Sequence, residues 1–161
     1  MKVHLVAIGA LFSLDVFALG IGVCTLLVAY VMLVVGVIKL VRGCFGDRKL
    51  IRHGALIVAL HATIVALTNA TVSWQQRMAD ERAAAIVLAL KSYKAQHAAC
   101  PSTLGALVPE YLPEIPRAKY TLAFGDFEYR HERHSGQLSY TRLPPFSRAT
   151  FYCDTESWGE S

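Results

Sequence analysis

Charged residues are scarce in this sequence, 17% against the roughly 25% of an ordinary soluble domain. The deficit falls on residues 1–73, where Asp15 and Asp47 are the only acidic side chains. That unevenness excludes a single soluble domain of uniform composition. Glycine and proline are absent between Gly54 and Cys100, which leaves nothing to break a helix there. Also lacking are a Gly-rich phosphate loop, a Ser-His-Asp or Cys-His arrangement and paired acids on one helix. The chain is therefore read as not an enzyme, with no cofactor, no metal and no small-molecule substrate. Repeats and low-complexity segments are missing too.

The positive charge is equally uneven. Residues 1–73 carry six basic against two acidic residues, and residues 74–161 carry ten of each. The net charge of +4 thus belongs to the apolar half and is no sign of a nucleic-acid partner.

What is present is a pair of long apolar runs. Val3–Val41 is interrupted only by His4, Asp15, Lys39 and a few hydroxyls, and is nearly two membrane spans long. Gly54–Val72 is the length of one span. Between them a basic loop, residues 42–53, carries Arg42, Arg48, Lys49 and Arg52. Short basic loops stay in the cytoplasm, so residues 74–161 are expected on the opposite side. Two readings of the first run stay open. In one, Gly20–Val41 spans while Val3–Leu19 lies along the outer surface or extends that helix. In the other, Val3–Leu19 spans separately and turns at Gly20-Ile21-Gly22, giving three spans. Two are favoured, because no polar loop interrupts the run. A cleaved signal peptide is not expected, since the run is too long and no Ala-x-Ala site closes it. Gly22-Val23-Cys24 approximates a lipoprotein site, but Val23 is too large for it.

The four cysteines divide in the same way. Cys24 falls in the first run and Cys44 in the basic loop, while Cys100 and Cys153 fall in the external half, where oxidation is allowed. A Cys100–Cys153 disulfide is expected, the alternative being two separate buried thiols.

From Trp74 onward the sequence reads as a helix, with Ala83, Ile86, Leu90, Tyr93 and His97 on one face. The membrane helix is expected to continue into it without a break until Pro101. Ser102 is placed as the cap of a short helix with Leu104, Leu107 and Val108 inward. Tyr111–Pro116 reads as an ordered loop. Four strands are expected at Tyr120–Phe124, Phe127–His131, Gln137–Thr141 and Ala149–Cys153. Ser135-Gly136 is read as a hairpin turn, and Pro144-Pro145 as a longer excursion. The fold class is an α+β membrane protein: N-terminal membrane helices, then a long helix packed on a small antiparallel sheet.

Ala89-Leu90-Lys91-Ser92-Tyr93-Lys94, then Cys100-Pro101-Ser102-Thr103-Leu104, then Leu107-Val108 and Leu112-Pro113 resemble the helix end and following loop of type IV pilins and type II secretion pseudopilins. The likeness covers about Gly54–Cys153. It implies a pilin-like domain, and pilus or secretion components of the bacterial envelope as partners. Pilins begin at a cleaved Gly followed by an apolar run with Glu at the fifth position. Here Gly54 follows Arg52-His53, but the fifth residue after it is Ala59. The resemblance therefore implies association with such machinery and not a filament subunit. Its expected location is the bacterial inner membrane, with the C-terminal domain periplasmic.

Several residues are candidates for chemistry. His131-Glu132-Arg133-His134 holds two histidines three apart, but alternation sends them to opposite faces and no third ligand is near. Asp154-Thr155-Glu156 offers two carboxylates and a hydroxyl where Ca²⁺ needs six or more oxygens, although some pseudopilins bind it through such groups. His61 lies inside the second apolar run, about 10 Å from its cytoplasmic end. Bonding to a neighbouring helix's backbone or a Thr is expected for it; pairing with Asp15 needs three spans. His97 has no nucleophile within sequence reach, and the sequon Asn69-Ala70-Thr71 lies at the membrane edge. Ala55, Ala59, Ala62, Ala66 and Ala70 form a stripe that reads as a packing face, against the first span or a partner subunit.

The expected function is a non-enzymatic membrane protein whose external domain binds other membrane or periplasmic proteins, scaffolding or assisting a pilus, secretion or similar assembly. The lipid bilayer is its other partner. An accessory subunit docked through the alanine stripe is the second expectation. A periplasmic sensor is the third, disfavoured because the cytoplasmic loop has no output domain.

Overall fold

The computed structural model describes residues 7, 9–10, 12–19, 22–132, 135–143 and 147–160. It divides into two compact units, Met1–Ser73 and Trp74–Ser161.

In the first unit, helix α1 covers Val23–Gly43 and helix α2 starts at Arg48, running on to His97. Both are long and apolar enough to cross a membrane. The connection is shorter than the 42–53 loop expected. It closes over residues 44–47, and Arg48, Lys49 and Arg52 sit in the first turns of α2. Asp47 explains the difference. Its Oδ1 accepts the N–H groups of Lys49 at 2.9 Å and Leu50 at 3.3 Å, capping orphan donors of the helix start.

The two helices form an antiparallel hairpin around small residues. Gly22 just before α1 and Ala29, Gly36 and Gly43 within it, seven apart, are buried, facing a row on α2 that contains Gly54, His61 and Thr68. A Cβ on Gly36 would meet Val58 Cγ2 at 2.8 Å, and one on Gly54 would meet the Leu40 nitrogen at 2.8 Å. The backbones approach too closely for any side chain, which is what small residues permit in a helix pair.

A π-helical stretch, Leu14–Leu19, precedes α1. Asp15 within it is buried, and its Oδ2 accepts the Thr25 N–H at 2.6 Å. The carboxylate therefore sits at the positive end of α1, where the helix dipole favours it. Gly22 carries φ 67° at the start of α1, so the stretch before it does not extend that helix.

In the second unit α2 continues to His97, where Ala98 takes φ 57° and Pro101 forbids a further turn. A 3₁₀ turn at Leu104–Leu107 follows. Thr103 stands at its cap without a side-chain bond, so Ser102 does not cap it; Leu104 and Leu107 are buried but Val108 is not.

The sheet has four antiparallel strands in sequence order: β1 Glu128–Glu132, β2 Ser135–Leu143, β3 Ser147–Tyr152 and β4 Ser157–Glu160. Three of the expected strands are found, and Tyr120–Phe124 is not one of them. Its backbone is tied locally, Lys119 N–H to the Gly125 carbonyl at 3.0 Å, with Phe124 at φ 56°. β4 was not foreseen. Ser135 and Gly136 are not the turn; they open β2 opposite Glu132 and His131. The β1–β2 connection and Pro144-Pro145 lie outside the described residues.

Helix and sheet bury two clusters. Ile86, Leu90, Leu107, Leu138 and Phe151 form the larger, beside Cys100 and Cys153. Each large side chain removed from water there contributes about 1.5–3 kcal/mol. Ala79 and Ala83 form the smaller with Ala118, Tyr140 and Ala149. Of the expected helix face, Ala83, Ile86 and Leu90 are buried, Tyr93 is half-buried and His97 is exposed, stacked on Tyr93 with ring centroids 4.1 Å apart.

Candidate functional site

Next to the buried stripe of α2 runs a second one, Asp80, Ala84, Val87, Leu88 and Lys91, at spacings of four and three. Opposite it stand Tyr140 of β2, Ala149 of β3 and Trp158 of β4. Between them lies an open groove of about 510 Å³. Its depth comes from small residues. Ala84 on the helix and Ala149 and Gly159 on the sheet leave space that larger side chains would fill. Leu88 and Trp158 form the rims and are 67% and 48% exposed.

The sheet wall is built by cross-strand pairing. Tyr140 opposes Ala149, and Phe151 opposes Trp158, with Phe151 and Trp158 rings tilted at 5.3 Å. β4 lies at the end of the strand order, so one of its edges pairs with β3 and the other has no strand beside it among the described residues. A clamp from the helix fixes the turn that leads into β4. Lys94 Nζ donates to the carbonyls of Cys153 at 3.1 Å and Asp154 at 2.9 Å, and to Glu156 Oε1 at 3.2 Å.

One end of the groove is polar. Tyr140 Oη donates to Asp80 Oδ1 at 2.5 Å, Gln76 Nε2 donates to the same oxygen at 3.0 Å, and the Arg142 guanidinium lies 3.5 Å away. Burial, then the bond to Asp80, raise the Tyr140 pKa, so the phenol stays protonated and keeps donating. Lys119, buried nearby, donates from Nζ to the Arg142 carbonyl at 2.6 Å. Burial lowers its pKa to about 8, against the opposing pull of Asp80. The groove thus joins apolar walls to a polar end fixed by the Asp80, Tyr140 and Arg142 contacts.

The expected site residues are distributed as follows. Cys100 and Cys153 are joined as a disulfide, while Cys24 and Cys44 are free thiols. The five stripe alanines, Ala55, Ala59, Ala62, Ala66 and Ala70, are all exposed. They do not pack against the first apolar helix, because the Gly54, His61 and Thr68 face takes that contact. His61 is buried, and its Nδ1 bonds the Ile57 carbonyl of its own helix at 2.8 Å. Among the described residues it bonds no neighbouring helix, and its Nε2 has no partner. Asp15 pairs with Thr25 and not with His61. Asn69 and Thr71 both bond carbonyls of their own helix.

His131 is exposed on β1 opposite Gly136, and His134 lies outside the described residues. Asp154, Thr155 and Glu156 form the β3–β4 turn. The Ser135 hydroxyl holds Asp154 below the usual carboxylate range, and Lys94, bonded to Glu156, does the same there. Those oxygens are committed to protein donors. Among the described residues, no three His, Cys, Asp or Glu side chains come together as metal ligands.

Leu88, Trp158 and the Asp80–Tyr140 pair were missed by sequence reasoning. The helix spacing from Asp80 to Lys91 was available as a signal, but only a known β4 gives it an opposite wall.

No family model, curated protein or solved structure matches the chain. A helix packed on a four-stranded antiparallel sheet is the architecture, and that arrangement alone assigns no family.

Proposed function

We propose that this chain is a non-enzymatic, membrane-anchored protein whose α+β unit docks a partner protein of an envelope assembly in the α2–β4 groove. The groove carries the reading. Its rims are large apolar side chains left in water, its floor is made of small residues, and it borders an open strand edge. An extended partner segment can add to such an edge and seat side chains beside it. In this reading the partner belongs to a pilus, secretion or similar assembly, as the pilin-like helix and loop segments imply.

The proposed topology puts Cys44 in the cytoplasm and residues 74–161 in the periplasm of a bacterial inner membrane. Arg42, Arg48, Lys49 and Arg52 around the short turn support that orientation. So does the contrast between the Cys100–Cys153 bridge and the free thiol of Cys44.

A second reading, an accessory subunit of another membrane complex, is favoured by one observation. The alanine stripe is exposed along its whole length, so it is available to a partner helix. Photocrosslinking from Leu88 and from Ala62 separates the two readings, because each reports a different surface.

A further inference from the structure

The segment Tyr120–Phe124, which alternates like a strand but is not one, carries apolar side chains where folding does not need them. Leu122 is 86% exposed, and Tyr120 and Phe124 are about half-exposed. The loop is nevertheless held in shape. Lys119 N–H bonds the Gly125 carbonyl at 3.0 Å, Thr121 Oγ1 donates to the Ala123 carbonyl at 2.6 Å, and Arg117 donates to the Thr121 carbonyl at 3.1 Å and to Asp126 at 2.9 Å. These bonds hold three large apolar groups outward at fixed positions. A surface that presents such a patch is one that something covers.

Trp74 indicates what covers it. It is the second residue after the apolar run ends at Val72, about 3 Å further along the helix. Its half-exposed ring stacks on Tyr120 with centroids 6.4 Å apart. Tyr120 therefore packs on a residue that follows directly on the apolar run, the headgroup depth of a helix that spans with that run. Trp and Tyr concentrate at that depth in membrane proteins, where rings sit among headgroups. Arginine accompanies them here. The Arg82 guanidinium lies over the Tyr120 ring, 4.7 Å from its centroid, and donates to Tyr120 Oη at 2.7 Å. Aromatic rings, an apolar tip and arginines together match the phospholipid headgroup layer, with phosphate outside and acyl chain beneath. A protein groove would not require Trp74 to share the patch.

We propose that Tyr120, Leu122 and Phe124, with Trp74, dip into the headgroup region of the bilayer, Leu122 deepest, as a second membrane contact of the α+β unit. The inference rests on α2 crossing that bilayer, as proposed above.

The test uses the full chain with Cys24→Ala and Cys44→Ala, the disulfide intact, in nanodiscs of phosphatidylethanolamine with a minority of phosphatidylglycerol. Nitroxide labels are placed at Leu122→Cys, at Ala62→Cys in the apolar run and at Thr155→Cys in the β3–β4 turn. Relaxation by oxygen and by a water-soluble nickel chelate is then compared. The inference expects Leu122 to lose nickel access and gain oxygen access relative to Thr155, reaching a depth shallower than Ala62. Leu122 behaving like Thr155 while Ala62 is nickel-protected overturns the loop inference and leaves the span in place. Nickel access at both Leu122 and Ala62 overturns the span and the inference with it. Protection of Leu122 from both reagents, or spin–spin broadening between labels, assigns the patch to protein and also overturns it. Leu122 is nearly free in solvent, so its substitution leaves folding intact.

Discussion

Trp158 of the edge strand meets Tyr140 of β2 edge-on, with ring centroids 6.2 Å apart, over the small side chain of Ala149. One strand, β3, separates the rings' backbones, and its alanine leaves the opening that makes the groove. The position of Trp158 in turn depends on the turn Asp154–Glu156, which Lys94 holds from the helix.

Lys94→Met is expected to loosen β4 without unfolding the unit. Trp158 fluorescence, read in a Trp74→Phe background, should shift to the red at neutral pH. Acid should do the same to the parent chain. Glu156 and Asp154 have lowered carboxyl pKa values in the fold. Their contribution is present above the unfolded value and is lost as pH falls through the folded one. A spectrum insensitive to both changes would remove the clamp from the account.

Lys119 gives the opposite end of the pH scale. Its folded pKa of about 8 lies below the ordinary 10.5, so between these values the unfolded chain binds the proton and the folded one does not. Stability should therefore rise as pH increases from about 8 to about 10. Urea unfolding of the unit, followed by Trp158 fluorescence, should give this rise in the parent, and the rise should be lost in Lys119→Met.

The hairpin of α1 and α2 depends on Gly36 and Gly54, where an added Cβ would strike the opposite helix at 2.8 Å. Gly54→Leu meets backbone, which cannot move aside, and should abolish disulfide trapping between cysteines placed on the facing helix surfaces. Ala62→Leu, on the exposed stripe, should leave that trapping unchanged. Equal effects from the two would contradict the packing described.

The thiols report topology directly. Cys44 is exposed at the helix connection and free. In spheroplasts a membrane-impermeant maleimide should label it only after permeabilisation. Cys100 and Cys153 should resist labelling until reduced. Their bridge closes a 53-residue separation, worth about 4 kcal/mol in the chain-entropy model, so replacing both with Ala should lower stability by about that amount. Labelling of Cys44 in intact cells would invert the orientation.

Much of this fold was legible because its signals are periodic. The uninterrupted segment after Gly54 gave α2, and the Ile86–Leu90 spacing gave its core face. The disulfide followed from the partition of four cysteines. The misreadings share a cause: tertiary contacts outweighed local pattern. Tyr120–Phe124 alternates, yet its backbone bonds close on themselves and its apolar side chains turn outward. Ser157–Glu160 contains Gly159 and Glu160 and has weak strand propensity, but pairing with β3 makes it a strand. Asp47 was counted as a charge in a loop, although it caps α2 and shortens that loop. The alanine stripe was legible as a face, but its occupant was not. The contact with α1 is made instead by the Gly54, His61 and Thr68 face of α2, which meets the small residues seven apart on the α1 side.

The central claim is that the α2–β4 groove holds a partner protein, and photocrosslinking from inside it tests this most directly. A photoreactive residue at Leu88 of the full chain, irradiated in native membranes, should yield an adduct with one protein. That adduct should disappear with Trp158→Asp on the opposite rim and persist with Ala62→Leu. An adduct from position 62 with none from position 88, or one indifferent to Trp158→Asp, would contradict the account and leave the membrane helix as the docking surface.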